Sequence, residues 1–400
     1  MIVDINNIKN IAVIGAGIQG HAIAQICLMA GFKKVFLSDI SLEIIEKGIG
    51  WMINNPEIGL KKLESEGKLV AASTYKELLE RLVKETDLKK AVEKADFIIE
   101  AVPEVIGIKE DVYALLGVYS KQDTILASNT SSMSISKLGE VSRKPEKVIG
   151  MHFFSPVRNR LIEITKGDKT SDDNIDIGVA VGEKLPSIEG KRVIICLDKE
   201  TPGHIANRVV GAISPYYNWI FDEALERGIS YDQLDADTSD FGGLGLCILI
   251  DGIGVDTVYN VMKYFEETLS PEFAPSQVLI NLVESGNLGV KTGKGFYDWS
   301  DRKPPVIDPS KKAGLVDIEV LMAQQLNEGC RLLEQGIVKN YKIIDKAVTV
   351  GYGMPGPFSM NKRNYERLSK KLEEAAKLTG KSYLKPCKLM KSGEFLTMRR

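Results

Sequence analysis

Ile11–Ile14 is a short apolar run between polar residues, the pattern of a buried strand. It runs into Gly15-Ala-Gly17-Ile-Gln-Gly20, and the following HAIAQICLMAG keeps small and apolar residues at helical spacing as far as Gly31. Lys34–Asp39 is a second apolar run, so an acid stands 19 residues beyond the third glycine. Residues 42–94, which include LKKLESEGKL and YKELLERLVKETDLKKAVEKA, predict helices with charged faces. They pack on a sheet or form lysine-rich arms that hold a phosphorylated ligand. Residues 95–104 predict a buried strand ending in acids. Thr124–Ser128 and Lys147–His152 predict two more, Leu161–Ile164 is strand-like, and Arg192–Leu197 reads as the last strand. Strands alternating with helices imply a doubly wound, mostly parallel α/β sheet.

At Thr201-Pro-Gly-His-Ile the texture changes, and residues 203–400 read as largely helical. Asp298–Pro309, charged and rich in proline, suits a linker. A pattern recurs across it. DEALERGISYDQLD (222–235) and EGCRLLEQGIVKNYKIID (328–345) each give an amphipathic helix closing at E-x-G-I, then a loop and a hydrophobic-Asp pair. VESGNLG (283–289) and MKSGEFL (390–396) follow at a similar offset. A tandem helical domain is the natural reading.

The length of 400 residues predicts two or three domains, and 44% hydrophobic with 26% charged residues is ordinary for a soluble protein. A net charge of −2 argues against a broad nucleic-acid surface. No apolar run is long enough for a membrane helix, and MIVDINNIKN lacks a signal core, so a cytoplasmic location is expected. Cys27, Cys196, Cys247, Cys330 and Cys387 lie far apart without a C-x-x-C, which predicts reduced thiols. With only His21, His152 and His204, no metal site is expected.

The glycine loop sits in the full context of a dinucleotide site. Gly15 permits the tight turn, Gly17 the approach of the pyrophosphate, and Gly20 close packing of helix on strand. The helix N-terminus favours the anion. Asp39 accepts from the adenosine ribose hydroxyls and repels a 2′-phosphate, and Ile40 and Ser41 supply no arginine, so NAD is expected rather than NADP. Ser128-Asn-Thr-Ser131-Ser132, directly after a strand, lies at the ligand end of such a sheet or caps a helix. His152 and Glu163 stand on two strand-like stretches joined through Ser155-Pro156. A His–carboxylate pair there would let neutral His152 accept a hydroxyl proton. Asn207 opens the helical region near the cleft. Lys291–Trp299 reads as a structural turn.

Together GAGIQG, the Asp39 strand, EAVPEVIGIKEDVY, SNTSS, HFFSP…LIEI, PGHIANR and KTGKGFYDW occur in order over residues 8–300. This combination resembles the 3-hydroxyacyl-CoA dehydrogenase family, including its 3-hydroxybutyryl-CoA members. YGMPGPF (352–358) extends the likeness into the second copy. The resemblance implies a Rossmann-like, doubly wound α/β domain over residues 1–199, then two all-α domains of the family's C-terminal type over 200–302 and 303–400. It implies NAD-dependent oxidation of L-3-hydroxyacyl-CoA, short-chain in preference, in fatty-acid β-oxidation. His152 becomes the base, Glu163 its partner, and Ser131 and Asn207 the groups that position the substrate. Gly15, Gly17, Ile18, Gln19, Gly20, Asp39, Ala101, Val102, Glu104 and Asn129 become cofactor contacts, with Glu104 near the nicotinamide. Lys109 becomes a candidate contact for coenzyme A. The tandem helical pair takes the place of a dimer contact, giving a monomer with an internal pseudo-dimer, or a homodimer. No nucleic acid or membrane partner is expected.

The chain also departs from the family. Ser155 replaces an asparagine, and the segment between His152 and Glu163 is one residue short and carries Arg158 and Arg160. His204 replaces an apolar residue, and DFGGLGLCILID lacks the G-P-F that the second copy has. The two arginines meet coenzyme A phosphates, the carboxylate of a small hydroxy acid (an L-gulonate- or carnitine-type substrate), or only solvent. A non-catalytic NAD-binding protein on the same scaffold is the third alternative.

Overall fold

The computed structural model describes residues 5–239 and 245–398. The chain forms two compact units. The first comprises the chain up to Ala206 with two later segments, Gly336–Val338 and Lys346–Met354; the second holds the rest.

The first unit is built on one eight-stranded sheet. Its strands are β1 (Asn10–Ile14), β2 (Lys34–Ser38), β3 (Leu82–Glu85), β4 (Phe97–Glu100), β5 (Ile125–Ser128), β6 (Val148–Phe153), β7 (Leu161–Lys166) and β8 (Val193–Leu197). Their order is β3-β2-β1-β4-β5-β6-β7-β8. Every neighbouring pair is parallel except β6–β7. Successive residues of β1 explain the unbroken apolar run. Ile11 and Val13 enter one buried cluster and Ala12 and Ile14 the other, because helices cover both faces. The strand order reverses between β1 and β4, and an open α/β sheet leaves its ligand crevice at such a point.

One element was hidden in the sequence. The stretch expected to be wholly helical between residues 42 and 94 contains β3, paired in parallel with β2. Its four residues, LVKE, sit among lysines and glutamates and lie at the sheet edge. There one face stays wet and charge guards the open backbone, so no apolar run marks it.

The second unit is helical among its described residues. Within it, the same two devices occur twice. Asn218, on helix Ser214–Arg227, donates from its amide to the Phe273 and Ala274 carbonyls and accepts from the Ser276 N–H at 3.1 Å. Asn327, on helix Ile318–Glu334, donates to the Lys385 carbonyl at 3.0 Å and accepts from the Cys387 N–H at 2.8 Å. Each asparagine thus clamps the peptides on either side of a proline, Pro275 or Pro386. Asp235 accepts from Cys247 and Ile248 at the start of helix Leu246–Ile253, as Asp345 accepts from Phe358 and Ser359 at the start of helix Pro357–Asn361. The residue before each helix is glycine, since a Cβ on Gly245 or Gly356 would lie 2.1 or 2.4 Å from the aspartate carboxyl carbon. Much of the DFGGLGLCILID departure falls at residues 240–244, outside the described residues.

The turn at Lys291–Trp299 is held from inside. Asp251 accepts from the Phe296 and Tyr297 amides at 2.9 and 3.0 Å and from the Trp299 indole at 2.7 Å.

Candidate active site

The glycine loop leaves β1 at the reversal point. Gly15 has φ +100°, which a side chain rarely tolerates, and its N–H donates to the Ser38 carbonyl at 2.8 Å. A Cβ on Gly20 would stand 1.8 Å from the Gly15 carbonyl oxygen, so helix Ile18–Met29 packs against the strand only with glycine there. A Cβ on Gly17 would meet nothing within 4 Å. Protein packing therefore does not require that glycine, and the open space beside it leaves room for a ligand to approach the main chain. The three positions fit a dinucleotide pyrophosphate. Asp39 accepts from Ala16 N–H and Ile40 N–H, both at 2.7 Å, which ties its carboxylate to the loop. A cavity of about 580 Å³ opens beside these residues and is also lined by Ala101, Val102 and Pro103.

Two predictions follow from the contrast between the glycines. Gly20→Ala forces helix and loop apart and is expected to weaken NADH binding about ten- to a hundredfold, the cost of overpacking by 1–3 kcal/mol. Gly17→Ala is expected to leave the melting temperature unchanged and still weaken NADH. Fluorescence titration with thermal unfolding checks both, and wild-type affinity in Gly20→Ala would contradict the geometry.

Behind the cavity wall lies a buried ionic group. Glu100 is fully buried; it accepts from Lys109 Nζ at 2.6 Å, Ser128 Oγ at 2.7 Å and Val102 N–H at 2.8 Å. Lys109, expected as a coenzyme A contact, is itself 1% exposed and also reaches Glu104 at 3.2 Å and the Val102 carbonyl. Its ammonium is committed inside the protein, so geometry removes it from a coenzyme A surface. Glu104 gathers the Thr130 and Ser132 hydroxyls and the Ser131 and Ser132 amides. Burial would push the Glu104 carboxyl up, but Lys109 and those hydroxyls outweigh it and hold it below the usual range. The Ser128–Ser132 cluster therefore serves the Glu100–Glu104 network, and the N-cap of the next helix is Ser134. Asn129 accepts from the Phe153 N–H at 3.0 Å. Gln19 donates to the Phe154 carbonyl at 3.2 Å. Ile18 is 85% exposed at the mouth of the loop.

The antiparallel β6–β7 pair places His152 directly opposite Glu163. Cross-strand partners meet side by side on one face, and His152 Nδ1 lies 3.1 Å from a Glu163 carboxylate oxygen. The second carboxylate oxygen accepts from the Ile205 and Ala206 amides at 3.0 and 3.1 Å. Burial would push Glu163 up, but the His152 hydrogen bond, with the neighbouring His204 and the Ala206 amide, holds it below the usual range. Asn207, the residue after this pair of amides, begins the second unit on helix Ala206–Gly211.

His204 was expected only as a polar replacement in the cleft. Its ring stacks on His152, with centroids 4.5 Å apart and planes 13° from parallel. Nε2 lies 3.0 Å from the Thr130 carbonyl, which only accepts, so Nε2 carries the proton and Nδ1 accepts from the Thr165 hydroxyl at 3.0 Å. Burial, then the neighbouring His152, lowers its pKa to about 4 from 6.5. The folded state thus favours the neutral ring. Its stabilising contribution is complete above pH 6.5 and disappears as pH falls toward 4. We expect a loss of on the order of 3 kcal/mol across that window. Unfolding of the first unit followed between pH 6.5 and 4.5 checks this, before the carboxylates of Glu163 and Glu104 titrate. The same slope in His204→Asn would contradict it.

On the other side of His152, the Phe154 ring stands edge-on at 5.0 Å, and Tyr352 stands edge-on to Phe154 at 5.6 Å. Phe154, Ser155 and Pro156 line a second cavity of about 790 Å³ that shares Gly17, Ile18 and Gln19 with the first and reaches exposed Trp51. Arg158 pairs with Glu57 at 2.6 Å, and Arg160 donates to the Lys191 carbonyl.

Residues 10–199 match the family model for the NAD-binding domain of 3-hydroxyacyl-CoA dehydrogenases, and residues 203–299 match that for the family's C-terminal domain. The crystal structure of 3-hydroxybutyryl-CoA dehydrogenase from Escherichia coli K12 matches with a TM-score of 0.81 at 26% identity, over 98% of this chain and 99% of that one. The (S)-3-hydroxybutyryl-CoA dehydrogenase of Ralstonia eutropha is 30% identical, with a TM-score of 0.62, over 73% of this chain and 99% of its own. Among curated proteins, the fatty acid oxidation complex subunit alpha of Vibrio parahaemolyticus is 29% identical over 97% of this chain and 55% of its own length. The chain therefore spans about half the length of the curated relatives it matches. No described helix is long and apolar enough to cross a membrane.

Proposed function

From the chain's membership of the 3-hydroxyacyl-CoA dehydrogenase family, whose N-terminal domain binds NAD, we propose that it interconverts L-3-hydroxyacyl-CoA and 3-oxoacyl-CoA. Bound NAD supplies the hydride acceptor for oxidation, and its reduced form the donor for the reverse. The His152–Glu163 pair carries the reading. Nδ1 faces Glu163, so Nε2 is the nitrogen left to exchange a proton with the substrate's 3-oxygen. Glu163 fixes the ring tautomer and stabilises the imidazolium once His152 has taken the hydroxyl proton. In reduction the imidazolium returns that proton. Ser131 positions the substrate oxygen, and Glu104 holds the loop beside the nicotinamide end of the cavity.

The second cavity supports an acyl-CoA substrate, since Phe154 joins it to His152 while Trp51 offers an exposed aromatic face. An acid substrate finds less support, because Arg158 and Arg160 are engaged with Glu57 and the Lys191 carbonyl. A short acyl chain is proposed from the likeness to the 3-hydroxybutyryl-CoA dehydrogenases of Escherichia coli and Ralstonia eutropha. The repeated Asn218/Asn327 and Asp235/Asp345 devices support a reading of two helical copies, which we place at 200–302 and 303–400. The Ralstonia chain is matched over nearly all its length by 73% of this one, which fits a second copy added beyond it. We take that copy to replace a dimer contact. Sedimentation as a monomer is expected, and an obligate dimer at low concentration would count against it. A cytoplasmic role in fatty-acid oxidation belongs to the same reading.

The test is oxidation of L-3-hydroxybutyryl-CoA by NAD, with the D isomer, longer L-3-hydroxyacyl-CoA esters and free 3-hydroxybutyrate alongside. Turnover of the L ester far above the D ester and the free acid is expected. Preference for the free acid would overturn the reading.

A further inference from the structure

His204 occupies a backbone position that disfavours a side chain. Gly203 and His204 have successive φ values of +74° and +53°. For a residue other than glycine this left-handed conformation is strained and persists only where surroundings over-determine it. Two contacts do so here: Nε2–H to the Thr130 carbonyl and the Thr165 hydroxyl to Nδ1, each at 3.0 Å. The turn has a product. It aims two consecutive amides, those of Ile205 and Ala206, at one oxygen of Glu163. Convergent backbone N–H groups after such a turn make an anion-binding concavity. The same residue lays its ring flat against His152, so one residue bears on both members of the pair, on His152 through its ring and on Glu163 through the two amides that follow it.

We infer that His204 is a positioning residue for the His152–Glu163 pair. It locks the turn that clamps Glu163, and its ring fixes the plane of His152. It also ties both to the Thr130 loop, which carries Ser131 and is gripped by Glu104. The inference rests on the functional reading above only for its kinetic consequences. The ring lies close to the His152 imidazole and the Glu163 and Glu104 carboxyls. Remaining neutral is what allows it to stack on His152 when that ring takes a proton, because two imidazolium rings at this separation would repel. A phenylalanine would keep the flat face without the two hydrogen bonds. An asparagine tolerates the left-handed turn and keeps a polar handle. A leucine keeps neither.

The test uses the full chain with ¹⁵N-labelled histidine, which gives only three imidazole systems. In the wild type, the His204 ring is expected as the Nε2–H tautomer and unchanged from pH 8 down to about 5, and His152 as a single Nδ1–H tautomer. In His204→Leu, His152 is expected to become a mixture of tautomers. With acetoacetyl-CoA and NADH, kcat is expected to fall about ten- to a hundredfold, the scale of a small misplacement of the reacting groups, with KM for NADH within about threefold. His204→Asn is expected to recover much of kcat, and His204→Phe less. A His204→Leu enzyme with wild-type kcat and one His152 tautomer would overturn the inference. So would a wild-type His204 that titrates above pH 6. If the wild type turned over no 3-oxoacyl-CoA, the functional reading would fail, while the tautomer measurements would still decide the positioning role.

Discussion

His152→Gln is expected to lower turnover of acetoacetyl-CoA by about 10²- to 10⁴-fold while NADH affinity stays unchanged. That range is what a positioned general acid–base contributes. The argument is geometric. His152 lies on β6, one strand beyond the β5 loop that carries Ser131, and its Nδ1 is held by a carboxylate that is fully buried. A buried carboxylate needs partners, because an unpaired one would be neutralised or expelled. Glu163 has three: the His152 ring and the Ile205 and Ala206 amides. Glutamine at 152 keeps a donor for Glu163 and so leaves the strand pair intact, but it cannot carry a proton between substrate and solvent. The loss should therefore fall on kcat. An equal loss of NADH affinity would mean that the substitution had damaged the nucleotide site instead.

Lys109→Met is expected to destabilise the first unit by about 3–5 kcal/mol, the usual cost of leaving one partner of a buried ion pair uncompensated. Lys109 and Glu100 are both buried, and the lysine also draws Glu104 inward. Removing the ammonium leaves Glu100 with only Ser128 and the Val102 amide. Because Ala101, Val102 and Pro103 line the first cavity, NADH affinity should fall too. The double variant Glu100→Leu with Lys109→Met should recover a large part of the stability, since replacing both partners by apolar groups is often neutral. Denaturant unfolding of the three proteins measures the effect. A loss below about 1 kcal/mol with a raised KM for the CoA ester would return Lys109 to the substrate surface.

How much of this was legible in the chain depends on the range of the interaction. The glycine loop is a local requirement: each glycine answers a backbone contact within one strand–turn–helix, so spacing alone reveals it. The His152–Glu163 pair is also nearly local, two strands joined by a short connection, and an acid within an apolar run signalled that a partner was needed. The recurring pattern was visible because its two aspartates, Asp235 and Asp345, each cap a following helix. The second device, Asn218 and Asn327, was not visible, because each asparagine bonds main-chain atoms more than fifty residues away. Lys109 was a candidate coenzyme A contact only through the resemblance, and only the fold brings Glu100 and Glu104 around it. β3 escaped because an edge strand carries no apolar run. His204 stood out as a departure, but its role comes from a left-handed turn and a ring stack that no spacing encodes.

The most direct test of the central claim is reduction of acetoacetyl-CoA measured side by side with NADH and NADPH, in the wild type and in His152→Gln. Rapid oxidation of NADH by the wild type, little with NADPH because the Asp39 carboxylate lines the cavity beside the glycine loop and would repel a 2′-phosphate there, and near-complete loss in the variant are the expected results. Equal rates in the two proteins, or turnover with NADPH alone, would contradict the account.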